Sequence, residues 1–225
     1  MDNETSVTPK WGKFWAKYIQ AKANDRNINI ETTEMWDSHN LFHIQHKNTL
    51  DHPEIYSFCD ASQNNHQQGQ THWNNAQKFR AQLNPTRPIN SVKIYGSDQY
   101  HFGNNQDGLE RFWRNIIGGM ASARFHRPPS GLGLSTLARK HLKSMRMLTN
   151  NIHIFSCQPN SHLLSNRQEN QAYATANIGK EAIVYFPAGG TVNIDLSLFD
   201  TELTLTWLDI NQSKWLNQTP IHGGG

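Results

Sequence analysis

The sequence predicts an α/β chain: half of a (β/α)8 barrel followed by a small antiparallel β-sandwich. Three observations lead there. Helical and strand-like stretches alternate up to about residue 150, the order that gives parallel strands joined by helical crossovers. Each of four strand-like stretches runs into a loop dense in polar and aromatic residues: EMWD, DASQNNH, KIYGSD and RFHRPP. In β/α barrels the functional groups sit at such C-terminal strand ends. Beyond residue 150 the pattern becomes short alternating runs separated by turns such as PAGG, as antiparallel sheets require. The boundary is expected near residue 150, with the half-barrel over 1–150 and the sandwich over 151–225.

The elements follow in order. Residues 9–24, PKWGKFWAKYIQAKAN, predict a helix with Pro9 in its first turn. Trp11, Phe14, Trp15, Tyr18 and Ile19 form one apolar stripe along it. NINIETTE (27–34) predicts a strand, and a short helix is expected near 48–55. IYSFCDAS (55–62), PINSVKIYG (88–96) and MASARF (120–125) predict three further strands. Helices are expected at 70–83, at 106–119 with a Gly pair as its stop, and at 134–148. The runs NQAYATANI, EAIVYFP, TVNIDLSL and ELTLTWLDI supply the sandwich strands. The opening MDNETS reads as the exit of a strand lying upstream, and the closing IHGGG as a turn where a sandwich would take one more strand.

Composition narrows the function classes. Asn and Gln number 39, as many as Lys, Arg, Asp and Glu together. With seven Trp and ten Phe, this is a folded, polar, loop-rich chain rather than a disordered one. Amides beside aromatics suit sugars, whose hydroxyls need paired donors and acceptors and whose faces need flat platforms; compositional drift explains the same numbers. The net charge is +3, and no Lys/Arg run exceeds two residues, so no nucleic-acid partner is expected. No apolar run approaches the ~20 residues of a membrane helix, so no membrane partner is expected. Cys59 and Cys157 are expected as buried thiols. His39, His43 and His46 share a spacing of four and three but lack a supporting acid, so no metal site or cofactor is assigned.

The stretches DNETS, TEMWD, DASQNNHQQGQTHW, RPINSVKIYG, DGLERFWRNIIGGMASARFHRPPSGLGL and AIVYFPAGG…LTWLDI, in that order, resemble the apiosidase-like glycoside-hydrolase family. There a (β/α)8 barrel is followed by a β-sandwich labelled collagen-binding. The resemblance covers nearly the whole chain and makes it the C-terminal half, with barrel strands 5–8 at 28–34, 56–61, 89–95 and 120–125. The label is weak ground for collagen affinity, since family analogy alone does not give function.

The resemblance implies hydrolysis of a glycosidic bond in a poly- or oligosaccharide by two carboxyls. Asn3-Glu4 matches the Asn–acid pair at the end of barrel strand four, which makes Glu4 the candidate acid; otherwise Glu4 is a surface residue. A Glu nucleophile is expected at the end of strand seven, where this chain has Lys93. That departure counts against ordinary retaining chemistry. Strand-end candidates for the second carboxylate are Glu34, Asp37, Asp60 and Asp98, with Glu34 and Asp37 foremost. They flank Trp36, a candidate sugar platform; alternatively TEMWD seals the rim, with Glu34 paired to Arg124 or Lys93. Asn64, Asn65 and His66 are expected to meet sugar hydroxyls, or else to satisfy their own loop. Tyr95 and Lys93, at the end of the third expected strand, are expected to contact the substrate, Tyr95 by orienting sugar hydroxyls. Arg124, His126 and Arg127 are expected to grip an anionic group such as a uronate, or to pair with the rim.

Two other readings stay open: a non-catalytic carbohydrate- or matrix-binding protein, with Lys93 marking lost chemistry, and an inactive truncated product. Four parallel strands leave two edges unpaired, so self-association through an open barrel edge is also expected.

Overall fold

The computed structural model describes residues 8–33, 50–97, 102–126, 132–199 and 202–224. Over these residues the chain is a mixed α/β fold with four helices, one three-stranded parallel sheet and several small antiparallel sheets. The parallel sheet does not close into a barrel.

Helix α1 (Pro9–Asn24) forms as its sequence directs. The Thr8 hydroxyl caps it, accepting from the Trp11 N–H at 3.3 Å. An amphipathic helix ordinarily turns its apolar stripe inward, but α1 turns its stripe outward. Trp11, Phe14 and Tyr18 are 38%, 61% and 48% exposed. Their rings pack on one another: Phe14 and Tyr18 each meet Trp15 edge-on at 84°. The buried face is instead the small-residue row Gly12, Ala16 and Ala23, with Ala16 against Ile55 and Tyr56.

The strand expected at 27–34 does not form over its described residues. Residues 28–33 join no sheet. Thr32 tethers them to 55–58: its N–H donates to Ser57 Oγ at 3.1 Å and its hydroxyl donates to the Ile55 carbonyl. These side-chain tethers and one long backbone bond, from the Phe58 N–H to the Thr32 carbonyl at 3.5 Å, take the place of a regular ladder. Of the helix expected near 48–55, only residues 50–51 are helical among those described.

The other three expected strands do pair. β1 (Cys59–Asp60), β2 (Ile89–Ile94) and β3 (Ser122–Phe125) form a parallel sheet in that order. Each is followed by a helix: α2 (Gly69–Gln82), α3 (Asn105–Ile117) and α4 (Thr136–Thr149). All three C-terminal strand ends therefore share one edge. α3 begins with a reciprocal cap, Asn104 accepting from the N–H groups of Gln106 and Asp107 while Asp107 accepts from that of Asn104. Gly108 lets this helix approach β2 closely; a Cβ there would lie 2.5 Å from the Tyr95 carbonyl oxygen.

The remaining strands are β4 (Gln158–Pro159), β5 (Leu164–Ser165), β6 (Tyr173–Asn177), β7 (Glu181–Tyr185), β8 (Asn193–Ile194), β9 (Glu202–Asp209) and β10 (Lys214–His222). They pair antiparallel as β4-β6-β7, β5-β8 and β9-β10. One buried cluster crosses residue 150. It contains Trp73, Leu109, Phe112, Trp113 and Phe125 from one side, and Tyr173 and Tyr185 from the other. Polar ties run the same way. Arg114, almost fully buried, meets Glu110 Oε2 at 3.2 Å on its own helix and Asn170 Oδ1 at 3.3 Å across the boundary, and Ser144 Oγ donates to the Ile210 carbonyl at 2.8 Å. Trp207 is half exposed and lies 6.0 Å from Phe186.

Candidate functional site

The edge where β1, β2 and β3 end holds a cluster of polar and aromatic side chains. β1 ends at Asp60, which is 5% exposed and accepts from the Ser62 N–H at 2.8 Å. Burial pushes its carboxyl above the usual aspartate range, and the Ser62 donors pull against that shift. A 3-10 turn follows at Ser62–His66.

β2 is irregular at its end. Ser91 pairs with Ala123 and Ile94 with Phe125, so Val92 and Lys93 together oppose Arg124. This is a β-bulge, and Lys93 carries the left-handed φ of 65° that a non-glycine residue rarely adopts. A bulge takes backbone groups out of the ladder. Here the turn after β1 supplies partners for them. The Val92 N–H donates to Ser62 Oγ at 2.9 Å, and Asn65 Nδ2 donates to the Val92 carbonyl at 2.7 Å. Burial and the nearby Arg124 charge hold the Lys93 ammonium below the usual lysine range.

Aromatic rings gather above the bulge. His66 lies flat on Phe102, centroids 4.1 Å apart and planes 9° from parallel. Phe102 also stacks on Tyr95 at 5.0 Å, and His126 meets Tyr95 edge-on at 5.1 Å. His66 is the exposed member, whereas Tyr95 is buried. Arg111 holds the group from behind. It is fully buried in α3 and donates to the carbonyls of Phe102 at 2.7 Å and Tyr95 at 3.0 Å. Burial draws its pKa down to about 10.

Of the residues expected at the site, the fold brings His66, Tyr95, Lys93, Arg124 and His126 to this edge. Asn64 and Asn65 sit beneath it: both are buried, with amides engaged inside the fold. Asn64 Nδ2 donates to the His72 carbonyl at 2.7 Å. Asn65 Oδ1 accepts from Asn115 Nδ2 at 3.0 Å and from Ser91 Oγ at 3.3 Å, and shares a 3.3 Å bond with His72 Nε2. Asn3, Glu4, Glu34, Trp36, Asp37, Asp98 and Arg127 lie outside the described residues, as do His39, His43 and His46.

Sequence reasoning missed Phe102 and Arg111. The run Tyr100-His101-Phe102 was a usable signal for the first. Arg111 gave none, being off the apolar stripe of α3 and yet fully buried. No family model, curated protein or solved structure matches this chain.

Proposed function

We propose that this chain is a glycoside-hydrolase-like protein that takes a poly- or oligosaccharide at the C-terminal ends of β1, β2 and β3, on a framework that is half of a (β/α)8 barrel with a small β-sandwich. The observation that carries the reading is the convergence at one sheet edge of an exposed ring platform, His66 on Phe102, with a buried carboxyl, Asp60, and the polar tips of Lys93, Arg124 and His126. A sugar ring offers a flat C–H face to an aromatic and hydroxyls to polar groups around it. The chemistry is acid-assisted cleavage through an oxocarbenium-like transition state. Glu4 protonates the leaving oxygen. The second carboxylate is Glu34 or Asp37; burial raises the pKa of Asp60 and so suits it to holding a proton rather than to that ionised role.

A second reading has its own observation. Lys93 stands where the resemblance expects the nucleophilic Glu, and a cation there cannot attack an anomeric carbon as a carboxylate does. A carbohydrate-binding protein without turnover fits that residue. One assay separates the two: release of product from aryl glycosides and polysaccharide fragments by the chain and by Glu4→Gln. Turnover that falls at least about a hundredfold in Glu4→Gln supports the hydrolase. Binding with no turnover in either form supports the binder, and neither binding nor turnover overturns both.

A further inference from the structure

Helix α1 carries a face that the fold leaves uncovered. Its inward side is the row Gly12, Ala16 and Ala23, with Ala16 against Ile55 and Tyr56. The opposite side carries the exposed rings of Trp11, Phe14 and Tyr18. These rings lean on one another and on Trp15. Phe14 stacks on Tyr18 at 6.4 Å, and Trp15 lies 5.4 Å from Phe14 and 5.5 Å from Tyr18. They form one broad pad rather than separate knobs. The helix beneath the pad bears charge of one sign: it contains four lysines and no acidic residue. At helical spacing Lys10 and Lys17 run along one side of the rings, and Lys22 lies on the other. All three are exposed. Lys10 and Lys17 pair with no carboxylate among the described residues. Lys22 reaches Asp25 at 3.4 Å in an exposed pair and stands 6.0 Å from the Tyr18 ring. Lys13 differs, being half-buried with its Nζ 2.8 Å from His52 Nε2.

Whatever covers such a face must bring negative charge and accept aromatic rings. A second copy of the chain does not, because pairing α1 with its twin sets the same lysines against each other. An acidic protein groove fits the charge, but grooves take separated anchors into pockets, and these rings are packed together. An anionic lipid surface fits both features. Trp and Tyr favour the level of the lipid headgroups, and lysines beside an inserted apolar face extend their ammonium groups to the phosphates. We propose that α1 docks the chain on an anionic lipid surface. Trp11, Phe14 and Tyr18 enter the headgroup region, and Lys10, Lys17 and Lys22 meet lipid phosphates. Among the described residues no helix is long and apolar enough to cross a membrane; a helix lying in the surface need not be. This docking does not depend on what the strand ends bind.

The test floats the full chain with vesicles of phosphatidylcholine alone and of phosphatidylcholine mixed with phosphatidylglycerol. The mixed vesicles should bind the chain about tenfold or more tightly than the neutral ones, and raised salt should weaken that binding. Lys10→Gln together with Lys17→Gln should weaken it about thirtyfold, whereas Lys10→Arg together with Lys17→Arg should retain it. Phe14→Ser should weaken it about tenfold with the lysines intact. All of these changes are at exposed positions, so the folding midpoint, measured alongside, should hold. Absence of binding to mixed vesicles overturns the proposal, and so does equal binding to neutral and mixed vesicles. Binding that survives either the paired Gln change or Phe14→Ser overturns it as well. Capture by polyglutamate but not by vesicles assigns the face to an acidic protein and overturns the lipid surface. A dimer that Phe14→Ser dissolves, with no vesicle binding, does the same.

Discussion

Asn65 donates through Nδ2 to the carbonyl oxygen of Val92 at 2.7 Å, and Val92 is half of the bulge that faces Arg124. A fully buried amide on one strand's turn thus fixes the shape of its neighbour's end. Asn65→Ala removes that donor and leaves the groups on Oδ1 with one partner fewer. Stranded buried polar groups cost ~1–3 kcal/mol each, so Asn65→Ala should lose about 3 kcal/mol in urea denaturation. An unchanged midpoint would show that the network is not held as described.

Gly108 tests the approach of α3 to β2. Gly→Ala inside a helix normally gains ~1 kcal/mol. Here the new Cβ would lie 2.4 Å from Leu132 Cδ1 and 2.5 Å from the Tyr95 carbonyl oxygen. The leucine can shift; the backbone oxygen, bound by Arg111 at 3.0 Å, cannot do so cheaply. Gly108→Ala should therefore destabilise the chain by about 1–3 kcal/mol, measured by thermal melting. A rise in midpoint would contradict the close approach.

Helix α1 allows a paired test of its orientation. Ala16 is 8% exposed and Phe14 61% exposed. Ala16→Leu should cost about 1–3 kcal/mol through overpacking, and Phe14→Ala about 0.5 kcal/mol or less. The reverse order of effects would mean that the aromatic stripe faces inward.

That helix also marks where the sequence stops being informative. Its start at Pro9 and its end at Asn24 are legible from the cap and the periodicity. Its inward face is not, because Gly12, Ala16 and Ala23 make a second stripe at helical spacing and no local rule ranks small residues against aromatic ones. The ends of β2 and β3 were legible as strand ends from the loops that follow them. The bulge was not, since its left-handed residue is a lysine rather than the glycine or asparagine that flags such a position. Asn64 and Asn65 looked like solvent-facing amides because composition separates polar from apolar residues, not buried from exposed ones. NINIETTE has strand propensity, but over 28–33 no partner strand takes it up, and β-propensity depends on having one.

Two buried groups give opposite pH signatures. His72 is fully buried, and its pKa lies well below 6.5 because burial penalises its cation and Arg114 and Arg111 stand near. The unfolded chain then binds a proton that the folded chain refuses, so this group makes stability fall as pH drops below about 6.5. His72→Gln should flatten that acid slope in urea midpoints taken from pH 7.5 to 5. Asp60 runs the other way. Its pKa is raised by burial, so the folded state holds its proton longer and stability is lost as pH rises through the raised value. Asp60→Asn should therefore gain stability at pH 7 relative to the parent and lose that gain near pH 3.5. A variant equally or less stable at pH 7 would contradict the desolvated carboxyl.

The sugar proposed for the strand ends would rest on the ring platform whose exposed member is His66, 4.1 Å from Phe102. The most direct measurement is calorimetric titration of the full chain and of His66→Ala with a panel of neutral and uronate-bearing oligosaccharides. The account predicts that at least one glycan binds the parent, and that His66→Ala weakens it about tenfold, the size of one lost ring contact, with the folding midpoint unchanged. A parent that binds no member of the panel, or a His66→Ala variant that binds as well as the parent, would contradict it.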